Sequence, residues 1–273
     1  LKSITLCADD YGYTAPVCQA ILKLLDNQRL SAVSCIVNTP LWKEYASLLK
    51  PFQLQCDIGL HFNLTEGYSL TDRSQFPNLN YWLVQSHLHR IDRQWLAAEL
   101  NAQLDQFEQS IMQLPDFIDG HQHVHHLPII RDILLQVYRR RLQRKKPYIR
   151  VASNGWFHPF ALKPLVITIT GAKRLKKMLR CDRIPHNPAF SGIYDFSNKI
   201  DYAEHFRRFL NWIDQRGIIM CHPGWGDDSD KDAIADARRR EYDYLQSEQF
   251  LKDCQRANVR LTRFYLGHSS SKY

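Results

Sequence analysis

An α/β fold arranged as a parallel (β/α) barrel of about seven strands is what this chain of 273 residues predicts, on three observations. Apolar runs of strand length alternate with longer helical patterns from one end to the other, which argues for parallel β/α units. Polar side chains of ligand type stand at the C-terminal ends of four different strand runs, and a parallel barrel gathers those ends on one rim. Two long connections, 63–91 and 153–198, interrupt the rhythm as active-site loops would. With no internal repeat, low-complexity tract or interdomain linker, residues 1–273 read as a single domain.

The strand runs are Ile4–Ala8, Ala32–Val37, Cys56–His61, Phe117–His121, Tyr148–Ala152, Ile218–His222 and Val259–Tyr265. Helical patterns fill Ala15–Asn27, Arg93–Met112, Pro128–Gln143, Tyr202–Gln215 and Asp232–Cys254.

The first run ends in Asp9-Asp10-Tyr11-Gly12. Adjacent carboxylates repel unless a cation or proton sits between them. Neighbouring strand side chains point to opposite faces, so the turn at Tyr11-Gly12 must rotate one of them if both serve one site. Asp10 reads as a metal ligand and Asp9 as a general base; the plain alternative is a cap on the helix near Thr14.

The third run ends in Gly59-Leu60-His61-Phe62-Asn63. His61 alone would pass as structural; beside Asp10 and the later histidines it reads as a ligand. The fourth run opens a cluster, His121, His123, His125 and His126, four histidines in six positions. His121 and His123 share a face if the strand continues, while His125 and His126 enter a loop. One of the set binding metal, with the others orienting ligands or touching substrate, explains the cluster better than a core does.

Arg150, ending Tyr148-Ile149-Arg150, could hold the Asp9 carboxylate with two bonds or make a surface ion pair. The sixth run ends at His222-Pro223-Gly224-Trp225, and a histidine of near-neutral pKa suits proton delivery to a leaving group. A histidine hydrogen-bonded inside that turn is the structural alternative, and His125 is the second candidate donor. Trp156, Phe157, Tyr194 and Trp225 could present ring faces to a bound substrate or belong to the core.

Composition limits the classes. At 44 % hydrophobic and 23 % charged residues the chain matches a soluble globular protein, and its apolar stretches are too short to span a bilayer. No secretory signal is expected before Asp9 and Asp10; seven scattered cysteines without a Cys-x-x-Cys pair, of which Cys7, Cys35 and Cys221 sit in apolar runs as buried thiols would, suggest a reducing cytoplasm. The net charge of +8 gathers in Arg139–Lys146 and Lys173–Arg180. Nucleic-acid or lipid contact would explain these blocks, as would solvated basic helix ends. No aromatic interleaving accompanies the charge, so no nucleic-acid partner is expected.

One carboxylate and two histidines from separate strand ends make a divalent metal site with open positions. Two imidazoles lean towards Zn²⁺ or another transition metal, and the carboxylate also permits Mg²⁺. The chemistry expected is that of a metal-dependent hydrolase.

Taken together, Ala8-Asp9-Asp10-Tyr11-Gly12, Gly59–Gly67, Asp119-Gly120-His121-Gln122-His123-Val124-His125 and His222-Pro223-Gly224 resemble the YdjC-like carbohydrate deacetylases, which include chitooligosaccharide deacetylases and a hopanoid-biosynthesis branch. The chain carries Tyr11 and Gly120 where that family often has Phe and Ser. The resemblance implies a TIM-like barrel that removes an acetyl group from an N-acetylated sugar. It implies Asp10, His61 and His121 as ligands of one metal ion, Asp9 as base, His222 as acid, and a homodimer. A metal hydrolase of another bond such as a phosphoester, and a non-catalytic sugar-binding barrel, are the alternatives.

Overall fold

A computed structural model describes residues 1–153, 163–199, 201–226 and 232–265. Strand β1, Lys2–Tyr11, is the hub of an all-parallel sheet. It leads through α1, Ala15–Asp26, to β2, Ala32–Cys35. Thr14, rather than either aspartate, caps α1: its Oγ1 accepts from the Val17 N–H at 3.4 Å. The short α2, Trp42–Tyr45, precedes β3, Asp57–Phe62.

The 63–91 connection contains α3, Leu79–His87; after it α4, Arg93–Ile111, leads to β4, Phe117–Gly120. Next come α5, Ile130–Val137, and β5, Tyr148–Ile149. The 153–198 connection contains α6, Lys163–Cys181, and β6, Phe190–Ser191. The chain finishes with α7, Tyr202–Trp212; β7, Ile218–Cys221; α8, Ala235–Gln246; α9, Glu248–Arg256; and β8, Val259–Leu261.

Seven strands run in the order β5-β4-β3-β2-β1-β7-β6. The eighth, β8, lies beneath β2 on the same edge of β1: it pairs with Lys2–Ile4, and β2 starts opposite Cys7. The expected number of strands was right for this path but its membership differs, because β8 was counted and the two-residue β6 was not. Flanked by Pro188 and Gly192, β6 is too short to show an alternation. The Asp232–Cys254 pattern splits at Ser247, whose Oγ caps α9 by accepting from the Phe250 N–H. The Pro128–Gln143 pattern starts two residues later, at Ile130, and gives way after Val137 to a wider π turn, Tyr138–Leu142.

The sheet curls until its ends meet. Ile149 bridges to His186, with the Ile149 N–H donating to the Pro185 carbonyl at 2.9 Å. Asn187, fully buried, completes the seam with its side chain. It accepts from the Val151 N–H at 2.7 Å and donates to the carbonyls of Val151 (2.9 Å) and Ala189 (2.8 Å). One amide group thus replaces ladder bonds that the short β5 and β6 cannot make.

The period-two alternation sorts side chains into two cores. Ile4, Leu6, Val33, Ile58, Leu60, Ile118 and Ile149 face the helices in the larger cluster. Cys7, Ala32, Phe117, Tyr148, Ile218 and Met220 fill the barrel. Six of the seven cysteines are buried free thiols, which fits their use as small apolar residues. The basic blocks are partly paired: Arg139 with Asp182, and Arg141 with Asp105 and Glu108. Among the described residues no helix is long and apolar enough to cross a membrane.

Candidate active site

One step of two residues beyond the inner apolar layer, the same alternation places Asp9, Ser34, His61, Asp119, Arg150 and His222 around the C-terminal rim. These polar positions continue inward-facing rows that are apolar one position earlier, so their direction follows from strand geometry alone. Asp10 should therefore point away. It does not, because β1 slips register between Ala8 and Tyr11 and Asp10 takes φ +67°. This bulge, rather than the turn at Tyr11-Gly12, brings the second carboxylate into the site. Gly12 does matter just after it: at φ +95°, a Cβ there would stand 2.3 Å from the Ile36 carbonyl oxygen.

Asp10 Oδ1 faces both histidines, with His121 Nδ1 at 2.9 Å and His61 Nε2 at 3.3 Å. The donor atoms of Asp10, His61 and His121 all lie within 4.8 Å of one another. The other nitrogen of His61, Nδ1, lies 2.6 Å from Asp119 Oδ1, which also accepts from Ser34 Oγ at 2.6 Å. A carboxylate behind an imidazole orients the ring and raises its basicity as a ligand. One carboxylate oxygen, two imidazole nitrogens and a buried carboxylate behind one of them fit a divalent metal ion.

Arg150 spans the floor. Its Nη1 and Nη2 donate to the two oxygens of Asp9 at 2.6 Å each, and its Nε lies 2.8 Å from Asp119 Oδ2. Asp9, Asp119 and Arg150 are all essentially excluded from solvent. Cys7, Asp9 and Asp119 form a second trio of potential donors, but the Arg150 cation already pairs with both carboxylates there.

Burial would raise the Asp10 carboxyl, yet Arg238 and His121 hold it well below the usual range. Burial opposes charge on His61, and Asp119 overcomes it, lifting the ring to about 10. Asp119 is likewise held low against burial by Arg150 and His61.

The histidine cluster resolves into different tasks. Strand β4 ends at Gly120, and Gln122 and His123 adopt left-handed φ values of 51° and 59°, so His121 and His123 do not share a strand face. His123 is buried beside Phe190 and His126, and it reaches the cavity wall. His125 packs on Gly120, where a Cβ would lie 2.8 Å from its Nδ1, and its Nε2–H donates to the Arg150 carbonyl at 2.8 Å. Burial holds His125 down at about 4 and His123 well below the usual histidine value. His222 Nε2 lies 3.9 Å from Asp9 Oδ2, and burial brings it down to about 4.

Above these groups opens a cavity of about 560 Å³. Asp9, Asp10, His61, His121, His123 and His222 all border it, with Tyr13, Glu66, Tyr194, Phe196 and Arg238 as walls. Trp225 is not among the bordering residues; its ring stands edge-on to Tyr242 at 6.3 Å. Trp156 and Phe157 lie outside the described residues.

Sequence reasoning missed Ser34, Glu66, Asp119, Arg238 and Glu241. Alternation could have found Ser34 and Asp119, two positions beyond Ala32 and Phe117. Arg238 and Glu241 carry a fainter signal, charges at core-facing positions of an amphipathic helix.

A family model described as YdjC-like protein matches residues 3–256. The chain is similar to a carbohydrate deacetylase from Danio rerio, 31 % identical over 144 residues that cover 49 % of this chain and 45 % of that protein. It is also similar to a carbohydrate deacetylase from Geobacillus stearothermophilus, 32 % identical over 49 % of this chain and 54 % of the relative. Those matches span about half the length of these relatives. A chitooligosaccharide deacetylase from Yersinia pestis (strain Pestoides F) is 27 % identical over 248 residues, 83 % of each chain. Among solved structures, a putative cellobiose-phosphate cleavage protein from Enterococcus faecalis V583 matches with a TM-score of 0.74 at 17 % identity, covering 97 % of this chain and 98 % of that one. That likeness is one of fold.

Proposed function

The chain belongs to the YdjC-like protein family, and from that membership we propose that it is a metal-dependent carbohydrate deacetylase, hydrolysing the acetamide of an N-acetylated sugar. The observation that carries the reading is the meeting of three sets of groups on one rim. A metal-fitting trio (Asp10, His61, His121), an arginine-held carboxylate (Asp9) and a candidate proton donor (His222) all border one cavity. The relatives named carbohydrate and chitooligosaccharide deacetylases support the choice of bond and substrate class.

Asp10, His61 and His121 would hold the ion, with Asp119 fixing the ring of His61. A bound divalent ion supplies Lewis acidity: it makes water acidic enough to act as a nucleophile near neutral pH and offsets charge developing on the carbonyl oxygen. Zn²⁺ or another transition ion suits two imidazoles better than Mg²⁺ does.

Asp9 takes the proton of the attacking water. Arg150 aims that carboxylate through two bonds of 2.6 Å. His222 starts neutral, because burial holds it down at about 4. It becomes the acid during the reaction, by taking the proton from Asp9 across 3.9 Å and passing it to the departing amine nitrogen. The products are acetate and the free amino sugar. Tyr194 and Phe196 offer ring faces or edges to the sugar. A phosphoester reading would favour a second ion ~4 Å away. Among the described residues the other donor trio is occupied by Arg150, which speaks for one ion.

The test is acetate release from N-acetylated mono- and oligosaccharides, with chelator and metal add-back. Release that chelator stops and metal restores supports the reading. Absence of release from every sugar by protein that holds one metal ion would overturn it.

A further inference from the structure

Helix α8 turns charged residues inward where an amphipathic helix places apolar ones. Arg238 and Glu241, one turn apart, are 3 % and 0 % exposed and sit in the same stripe as Tyr242 and Leu245. Arg239 and Asp243 pair with each other on the exposed face at 3.0 Å. Buried charges are unfavourable unless each is answered by a partner, so what they touch is informative.

Arg238 Nη2 donates to Asp10 Oδ2 at 2.7 Å, and its Nε donates to Asp232 Oδ2 at 2.5 Å. Its guanidinium also lies 5.7 Å from the centre of the Tyr13 ring. The Asp10 carboxylate is thereby divided: Oδ2 is taken by Arg238, and Oδ1 alone faces His61 and His121.

Glu241 reaches the neighbouring strand end, that of β7, which pairs with β1. Its Oε2 accepts from the backbone N–H of His222 at 2.5 Å, and its Oε1 accepts from the Tyr194 hydroxyl at 2.7 Å. Tyr194 packs on Phe196 at 4.8 Å, and Phe196 stands edge-on to His222 at 5.3 Å. Glu241, Tyr194, Phe196 and His222 thus form a closed circuit of contacts, with one carboxylate tying its two ends.

We propose that α8 is the positioning helix of this site: Arg238 makes Asp10 a one-oxygen metal ligand, and Glu241 fixes His222 and the adjoining cavity wall. The proposal rests on the roles assigned above to Asp10 and His222. It assigns separable tasks to two residues on one helical face. Arg238 governs ion retention, and Glu241 governs placement of the proton donor.

Four variants of the full chain test it: Arg238→Gln, Arg238→Lys, Glu241→Ala and Glu241→Gln. Each is compared with wild type by calorimetric titration of Zn²⁺ into metal-free protein. The His222 ring signal is followed in ¹⁵N-histidine spectra, assigned with His222→Gln, and acetate release is measured as kcat and KM. Both Arg238 variants should bind Zn²⁺ ~10-fold more weakly or worse, since groups behind metal ligands typically govern affinity on that scale. Glu241→Ala should bind Zn²⁺ within about twofold of wild type, shift and broaden the His222 signal, and lower kcat ~10-fold with little change in KM. Glu241→Gln should restore most of this, because its amide oxygen can accept from the His222 N–H while its NH₂ faces the Tyr194 oxygen.

Wild-type Zn²⁺ affinity in both Arg238 variants overturns the first half. An unmoved His222 signal in Glu241→Ala, or Glu241→Gln as impaired as the alanine variant, overturns the second. If wild type releases no acetate, the deacetylase reading fails, while the Zn²⁺ and ring-signal measurements still decide the proposal for α8.

Discussion

Asp119→Asn is the most informative single change, because Asp119 belongs to the barrel floor and also backs His61 of the proposed metal trio. Its Oδ1 accepts from Ser34 and His61 at 2.6 Å each, and its Oδ2 pairs with Arg150 at 2.8 Å. Asparagine keeps the shape but turns one oxygen into an N–H₂ group. With its oxygen on Ser34 and His61, that amide faces the Arg150 guanidinium, donor against donor. Removing one partner of a buried ion pair costs ~3–5 kcal/mol. Asp9 still answers Arg150 with two bonds, so we expect the lower end, ~3 kcal/mol. For a chain of this size that lowers the melting temperature by ~6–12 °C. His61 also loses the anionic acceptor that orients its Nδ1, so metal affinity should fall ~10–100-fold, or ~1.4–2.8 kcal/mol. Thermal melts of metal-free protein and calorimetric Zn²⁺ titration read the two effects separately. Variant protein that melts lower but binds Zn²⁺ as tightly as wild type would refute the link from Asp119 through His61 to the ion.

Asp9→Asn should keep Zn²⁺ affinity nearly unchanged while acetate release falls ~10²-fold or more, as loss of a general base does; loss of the ion in this variant would contradict the separation of Asp9 from the ligand trio. His125 is held down at about 4 by burial, so the folded chain keeps it neutral where the unfolded chain is protonated. The stability tied to that ring is therefore complete above ~6.5 and is lost as pH falls towards ~4. Urea unfolding of metal-free protein at pH 7 and pH 5 should lose ~2 kcal/mol more in wild type than in His125→Asn, and equal losses would show that the ring does not sense pH. Asn187→Ala should lower stability by ~3 kcal/mol, because it strands the N–H and carbonyl of Val151 at the barrel seam, while the Ala189 carbonyl keeps the Ile218 N–H. A melt unchanged by that substitution would mean the seam carries no strain-bearing contact.

Much of this protein was legible in the sequence because its signals are periodic and local. The strand-length runs Ile4–Ala8, Cys56–His61 and Phe117–His121 located strands at whose ends Asp9, His61 and His121 stand, and parallel β/α order places such ends on one rim. The pattern was weakest where elements are short or lie within connections: β6 has two residues, and α3 and α6 sit inside stretches that read as loops. Asp10 shows the limit on side-chain direction, since a strict period of two sends it away from the site and only the bulge reverses it.

By itself, then, the sequence determined which residue types reach the rim and in what order along the chain, because strand direction and side-chain alternation depend only on near neighbours. Tertiary structure alone decided the pairings: Arg150 with Asp9 and Asp119, Ser34 with Asp119, Arg238 with Asp10, and Glu241 with His222. Those partners lie 19 to 228 residues apart. Nothing local in the chain brings them together; curling the sheet and packing α8 against its rim does.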